Sequence, residues 1–312
     1  MLRLPLSRIL KTSMQPFPHR FLGPGACIEL IAPSGRFDLD AFEAGVARLS
    51  RRYEVRYDPG IHDQQGYLAG DDARRLAELR AALTRPETDA VLAARGGYGA
   101  TRIVPLLAAE EVRTHGKLLV GFSDITALHA LWAHAGVGSV HGSMVAALGR
   151  CEEPLFARFC AALEGQYPAS FHGLEPIAPG ATEGVLLGGN LAVLTALLGT
   201  HGFPPLRDAV LFLEDIGERP YRVDRMLTTW RHAGAFEGVR GVVLGAFTDA
   251  QPGPDGVSVE DVLRERLGDL GVPVVAGLPA GHVEDNRELP FGARVFLDAN
   301  AGSLQLQLGR NA

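Results

Sequence analysis

The segment Gly121-Phe122-Ser123-Asp124-Ile125-Thr126 follows the apolar run Lys117-Leu118-Leu119-Val120 and opens a helical pattern, ALHALWAHAG. A serine at a sharp turn from strand to helix projects its hydroxyl beyond the carboxyl edge of a sheet, near the positive end of the helix dipole, where a nucleophile can act. The segment is not Gly-x-Ser-x-Gly, so Ser123 also fits the plainer role of a helix cap, with Asp124 adding charge to the first turn. Two other apolar runs end in the partners a nucleophile needs. Leu211-Phe212-Leu213 leads into the adjacent acids Glu214 and Asp215, and Val272 to Gly277 leads into Leu278-Pro279-Ala280-Gly281-His282. In chain order Ser123, Glu214 and His282 supply nucleophile, orienting acid and base, and such triads occur in different orders on unrelated folds. A metal would need further ligands at suitable spacing, and the sequence offers none. Arg95-Gly96-Gly97-Tyr98-Gly99 matches neither Gly-x-Gly-x-x-Gly nor a Walker loop. Its glycines suit a tight turn, or bare N–H groups offered to an oxyanion, and both readings stay open at this point.

The elements that must position these residues alternate. An apolar run over 26–32 ends in Pro33-Ser34-Gly35 and is followed by a helical pattern over 38–51. A strand over 53–57, a helix over 70–83, a strand over 89–94, a helix after Gly99 and the strand before Gly121 continue the series. Strands alternating with helices predict an α/β fold with a doubly wound parallel sheet, whose ligands sit at the carboxyl ends of the strands. Residues 1–22 read as a flexible, basic extension and 23–164 as the nucleophile-bearing α/β domain. The Pro- and Gly-rich stretch 165–182 reads as a linker, and 183–312 as a second β/α domain with several strands around helices at 221–233 and 258–270.

The 312 residues are 46% hydrophobic and 21% charged, enough to bury two cores. A net charge of −6 without a dense basic stretch argues against a nucleic-acid partner. No apolar run approaches the roughly 18–20 residues that span a bilayer. The acid-free first twenty residues lack a secretory apolar core and cleavage site, so Met14 is an alternative start and a cytoplasmic location is expected. Cys27, Cys151 and Cys160 show no ligand spacing and read as reduced, mostly buried thiols.

The chain resembles the LD-carboxypeptidases of bacterial murein recycling, a serine-peptidase family that also contains the microcin C self-immunity peptidases. The segments that carry the resemblance are Ala32-Pro33-Ser34-Gly35, ARGGYGATRI, GFSDITAL, VHGSM, LLGGNLAVL, LFLEDIGERPYRVDRML and GLPAGHVEDNRELPFG. They extend over nearly everything from Gly23 onward; Ser143 in VHGSM stands where the family pattern has proline. The resemblance implies a nucleophile at Ser123, a base at His282, an acid at Glu214 and an oxyanion hole of the Gly97 and Asp124 N–H groups. It implies a flavodoxin-like N-terminal domain joined to a swivelling C-terminal β/α domain, a homodimer, and no metal or organic cofactor. The expected reaction is release of the terminal D-alanine from murein tetrapeptides. Arg95 or Arg102 is a candidate for the substrate carboxylate, and Asn190 and Asp215 are candidates for positioning substrate. The same machinery acting on a peptidyl-nucleotide antibiotic or another acylated amino acid is the first alternative. A non-catalytic two-domain binding protein is the second.

Overall fold

The apolar segments of the first half pair as parallel strands: β1 (Cys27–Ile31), β2 (Glu54–Arg56), β3 (Ala90–Ala93), β4 (Leu118–Gly121) and β5 (Ser139–His141). Apart from β2 they are buried along their whole length, as strands must be when helices cover both faces of a sheet. The computed structural model in which they are seen describes residues 14–254 and 256–308. Between and after the strands run α1 (Leu39–Leu49), α2 (Asp72–Thr84), α3 (Ala100–Ile103), α4 (Ala109–His115), α5 (Thr126–Ala135), α6 (Val145–Leu148) and α7 (Glu153–Leu163). Helices α1 and α2 start where an aspartate can accept from the first turn: Asp38 from the Ala41 N–H at 2.9 Å, and Asp71 from the Arg74 N–H at 2.7 Å. The order β2-β1-β3-β4-β5 is the doubly wound arrangement in which the chain reverses direction across the sheet between β1 and β3.

The second half contains β6 (Ser170–His172), β7 (Glu175–Ala178), β8 (Ala181–Asn190), α8 (Leu191–Leu197), β9 (Ala209–Ile216), α9 (Pro220–His232), β10 (Gly241–Thr248), α10 (Val259–Leu267), β11 (Val274–Ala276), β12 (Leu289–Phe291), β13 (Arg294–Asp298) and β14 (Ser303–Gln307). Seven of these strands, β8 to β11 with β7, β13 and β14, join β6 in an eight-stranded mixed sheet of order β6-β14-β13-β8-β9-β10-β11-β7. The molecule is therefore a two-domain α/β protein. Its apolar cores lie on the two faces of the parallel sheet and around the mixed sheet.

Four sequence expectations change. The stretch 165–182 is not a free linker: it forms β6, β7 and the start of β8, because a proline- and glycine-rich run can still pair at a sheet edge. Of the extension 1–22, residues 1–13 lie outside the described residues, and the remainder packs on the fold. There the Phe17 N–H donates to the Gly292 carbonyl at 2.8 Å, and Leu22 is buried. Asn190 ends β8 and caps α8, a helix within a run read only as strand. Finally, β12 leaves the second half and pairs antiparallel with β5, so a C-terminal strand completes the first sheet. The three cysteines are free, with Cys27 and Cys160 buried. Among the described residues no helix is long and apolar enough to cross a membrane.

Candidate active site

Ser123 follows β4 and begins a short 3-10 turn over 123–125, and its φ of +63° is one of three positive values among the described non-glycine residues. An L side chain in this left-handed region costs of order 1–3 kcal/mol, a strain that rigid surroundings must hold. They do so from three sides. Gly121 before the turn, at φ +157°, lies so close to Ile125 that a Cβ would come within 2.9 Å of its side chain. His129 from α5 bonds the Gly121 carbonyl through Nε2 at 2.8 Å and Ser139 through Nδ1 at 2.8 Å; burial pushes its pKa down to about 4, so it serves as a neutral prop. Beneath Ser123 lies the glycine loop, where a Cβ on Gly96 would stand 3.0 Å from the Ser123 Cβ and 3.2 Å from its Oγ.

The Asp124 carboxylate gathers the three loops at this sheet edge. Its Oδ2 accepts from the Ser34 hydroxyl at 2.6 Å, after β1, and from the Ala100 N–H at 2.8 Å, after β3. Burial raises its pKa while both hydrogen bonds oppose the rise. Fully buried Arg75 ties the same loops from below through the Pro33 and Gly99 carbonyls. Among the described residues the backbone N–H groups of Gly97 and Asp124 take no part in the loop hydrogen bonds around the site.

Glu214 is fully buried at the end of β9. Its Oε2 accepts from His282 Nδ1 at 2.7 Å, and His282 Nε2 lies 3.1 Å from Ser123 Oγ. A proton on Nδ1 bonded to the carboxylate leaves Nε2 with a lone pair for the serine hydroxyl, the arrangement that turns a weak nucleophile into an effective one. His282 sits on the loop after β11, and that loop is held firmly. Gly281, at φ +117°, approaches Glu214 so closely that a Cβ would lie 2.8 Å from Oε2, and its N–H donates to Asn286 Oδ1 at 2.8 Å. Arg158 on α7 reaches across to pair with Asp285 and Glu288 and donates to the Asn286 carbonyl at 3.1 Å. The Phe122 ring packs 4.9 Å from the His282 ring and 5.6 Å from that of His141.

The other candidates are placed differently. Successive strand residues point to opposite faces, so Glu214 meets His282 while Asp215 turns toward α8. There Asp215 accepts from Asn190 Nδ2 at 2.9 Å and from the Ala192 and Ile216 N–H groups at 2.9 and 2.8 Å. Burial foremost, with the neighbouring Glu214 adding to it, pushes Asp215 up to about 6. Asn190 caps α8, accepting from the Val193 N–H, so the pair is occupied with the fold. Arg102 is paired with Asp72 at 2.8 Å, while Arg95 donates to the Arg36 carbonyl at 2.7 Å. Sequence reasoning passed over Ser34, Arg75, Arg158 and Asn286. Their signal is contact between segments distant in the chain, although Ser34 and Asn286 stand inside segments singled out for the resemblance.

The model of the LD-carboxypeptidase N-terminal domain matches residues 28–142, and that of the LD-carboxypeptidase C-terminal domain matches residues 183–297. The chain belongs to the LD-carboxypeptidase family. It is 43% identical to a putative carboxypeptidase of Streptomyces coelicolor over 91% of this chain and 94% of that one. The crystal structure of the muramoyltetrapeptide carboxypeptidase from Oxalobacter formigenes is 32% identical, with a TM-score of 0.78 over 90% of this chain and 97% of that one. MccF in complex with glutamyl sulfamoyl guanosine shares the fold at 20% identity, with a TM-score of 0.85 over 94% and 99% of the two chains. Membership of this LD-carboxypeptidase family makes the chain a peptidase homologue whose two matched regions carry Ser123 on one side and Glu214 and His282 on the other.

Proposed function

We propose that this LD-carboxypeptidase relative is a serine-type enzyme that releases D-alanine from murein tetrapeptides. The observation that supports the reading most is the continuous hydrogen-bonded chain from Ser123 through His282 to Glu214. In the proposed reaction His282 Nε2 takes the proton of Ser123 Oγ as the oxygen attacks the carbonyl carbon of the diaminopimelate L-centre. The oxyanion accepts from the Gly97 and Asp124 N–H groups, and losing one such donor in comparable sites costs about 10²- to 10³-fold. His282 then gives its proton to the nitrogen of the departing D-alanine. Water, deprotonated by the same imidazole, cleaves the acyl-enzyme and restores the serine. Glu214 holds the imidazole tautomer and stabilises its cation. Arg95, unlike Arg102, has no carboxylate partner among the described residues, and it is assigned to bind a free carboxylate of the substrate. The cytoplasm as the site of action and a homodimer as the assembly belong to the same proposal.

The test is release of D-alanine from L-Ala-γ-D-Glu-meso-diaminopimelate-D-Ala, followed by mass spectrometry beside the Ser123→Ala variant. Wild-type release with a loss of about 10⁴- to 10⁶-fold in the variant is expected. No release by the wild type refutes the murein substrate and moves the same chemistry to another acylated amino acid.

A further inference from the structure

A cavity of about 600 Å³ opens at the carboxyl ends of β1 and β3, lined among others by Arg36, Arg95, Arg150, Gln64 and Asp38. This is the point where the sheet order reverses, the crevice in which doubly wound sheets bind their ligands. Its charge is unbalanced. Arg150 pairs with Asp38 at 2.9 Å, whose Oδ1 also caps α1. Arg95 has only a backbone carbonyl as its partner, and the Arg36 guanidinium has no hydrogen-bond or ion-pair partner among the described residues. Three guanidiniums thus face one carboxylate. The cavity is also tied to Ser123. Arg36 follows Gly35, whose N–H donates to the Gly96 carbonyl at 3.0 Å, and Arg95 precedes Gly96, which packs directly under the serine.

We propose that this cavity is the subsite for the free carboxylates on the acyl side of the substrate, an inference that rests on the murein reading. Guanidinium forks bind carboxylates in two-point fashion, and unpaired ones beside the reacting serine are suited to an acyl group rich in them. In a tetrapeptide joined through the D-glutamate γ-carboxyl, the acyl side carries two: the glutamate α-carboxylate and the distal carboxylate of diaminopimelate. An extended chain advances about 3.3–3.6 Å per residue, so both lie within about 10 Å of the scissile bond, and the loops bearing Arg36 and Arg95 adjoin the serine turn through Gly35 and Gly96.

The experiment compares wild type with Arg36→Ala and Arg36→Ala/Arg150→Ala on three tetrapeptides: the parent, one with D-isoglutamine in place of D-glutamate, and one with lysine in place of diaminopimelate. Both substituted residues are exposed, and thermal unfolding confirms that the variants fold. In wild type, removing the carboxylate that the cavity binds raises KM about tenfold, with much less change in kcat. In the double variant KM for the parent rises by about the same factor and the discrimination disappears. Loss of discrimination against the isoglutamine peptide assigns the glutamate carboxylate; loss against the lysine peptide assigns the distal one. A ratio of KM values that is equal in wild type and variant, or absent from wild type, overturns the proposal. Calorimetric titration of Ser123→Ala with the tripeptide L-Ala-γ-D-Glu-diaminopimelate separates this from failure of the reaction itself. Tight binding that is lost when Arg36→Ala is added supports the subsite even if no D-alanine is released. Absent binding, or equal binding in both proteins, overturns it.

Discussion

Glu214→Gln tests whether the carboxylate acts through the histidine tautomer. The side chain is fully buried; Oε2 accepts from His282 Nδ1 at 2.7 Å, while Oε1 has no partner among the described residues. Glutamine has two ways to occupy this space. With its amide nitrogen toward His282, Nδ1 must become the acceptor, the proton moves to Nε2, and the imidazole can no longer accept from Ser123. With its amide oxygen toward His282 the tautomer survives, but the NH₂ group then occupies the position of Oε1, where it finds no acceptor. A buried donor left unpaired costs about 1–3 kcal/mol, so the competent arrangement is disfavoured about 5- to 150-fold. Loss of the negative charge that stabilises the imidazolium adds to this, and in a comparable triad the acid-to-amide change lowers kcat about 10⁴-fold. The expected result for Glu214→Gln is a fall in kcat of about 10³- to 10⁴-fold with KM little changed, since Glu214 has no direct contact with substrate in the proposed reaction. D-alanine release under saturating tetrapeptide measures it, and urea unfolding checks the fold. A folded variant with kcat within about tenfold of wild type would refute the reasoning.

Gly96→Ala should fold yet lose about 10- to 100-fold in kcat, because its Cβ would stand 3.0 Å from the Ser123 Cβ and push the hydroxyl off line. Activity within threefold of wild type, measured by the same D-alanine assay, would mean that the serine turn yields without cost. Asp215 gives a pH dependence. Its folded pKa, about 6, lies above the ordinary 3.8, so the stability it contributes is present below pH 3.8 and is lost as pH rises through 6. The Asp215→Asn variant lacks this loss, so its stability relative to wild type should improve by about 2–3 kcal/mol between pH 4 and pH 7 in urea unfolding. His129, with its pKa pushed down to about 4, has the opposite slope as pH falls below 6.5 and is common to both proteins, so the difference isolates Asp215. A difference that is flat with pH removes the buried-carboxylate account.

The chemistry-bearing residues and the alternation of elements could be read in the sequence because both signals are local. An apolar run of four or five residues bounded by Gly, Ser or Asp marks a buried strand and its carboxyl end, and Ser123, Glu214 and His282 each stand just past such a run. Element limits agree within a few residues: the helical pattern over 70–83 is Asp72–Thr84, and that over 221–233 is Pro220–His232. Edge strands β6 and β7 are not legible in the sequence, because their proline- and glycine-rich composition is that of a loop and only partners far along the chain make them strands.

Sequence pattern alone establishes an alternating α/β chain with a serine, an acid and a histidine at strand ends, since apolar periodicity and turn residues act over a few positions. Distances across the chain are another matter. The approach of His282 to Ser123, 159 residues away, depends on β12 crossing to pair with β5 and on Arg158 holding the loop from α7. The division of labour between Glu214 and Asp215 depends on which face of β9 meets the His282 loop and which meets α8. So does the gathering of Arg36, Arg95 and Arg150 around one cavity, which follows from the reversal of strand order between β1 and β3. These are long-range contacts, stabilised by burial and by hydrogen bonds between distant segments, and no short stretch of residues encodes which segment another will meet.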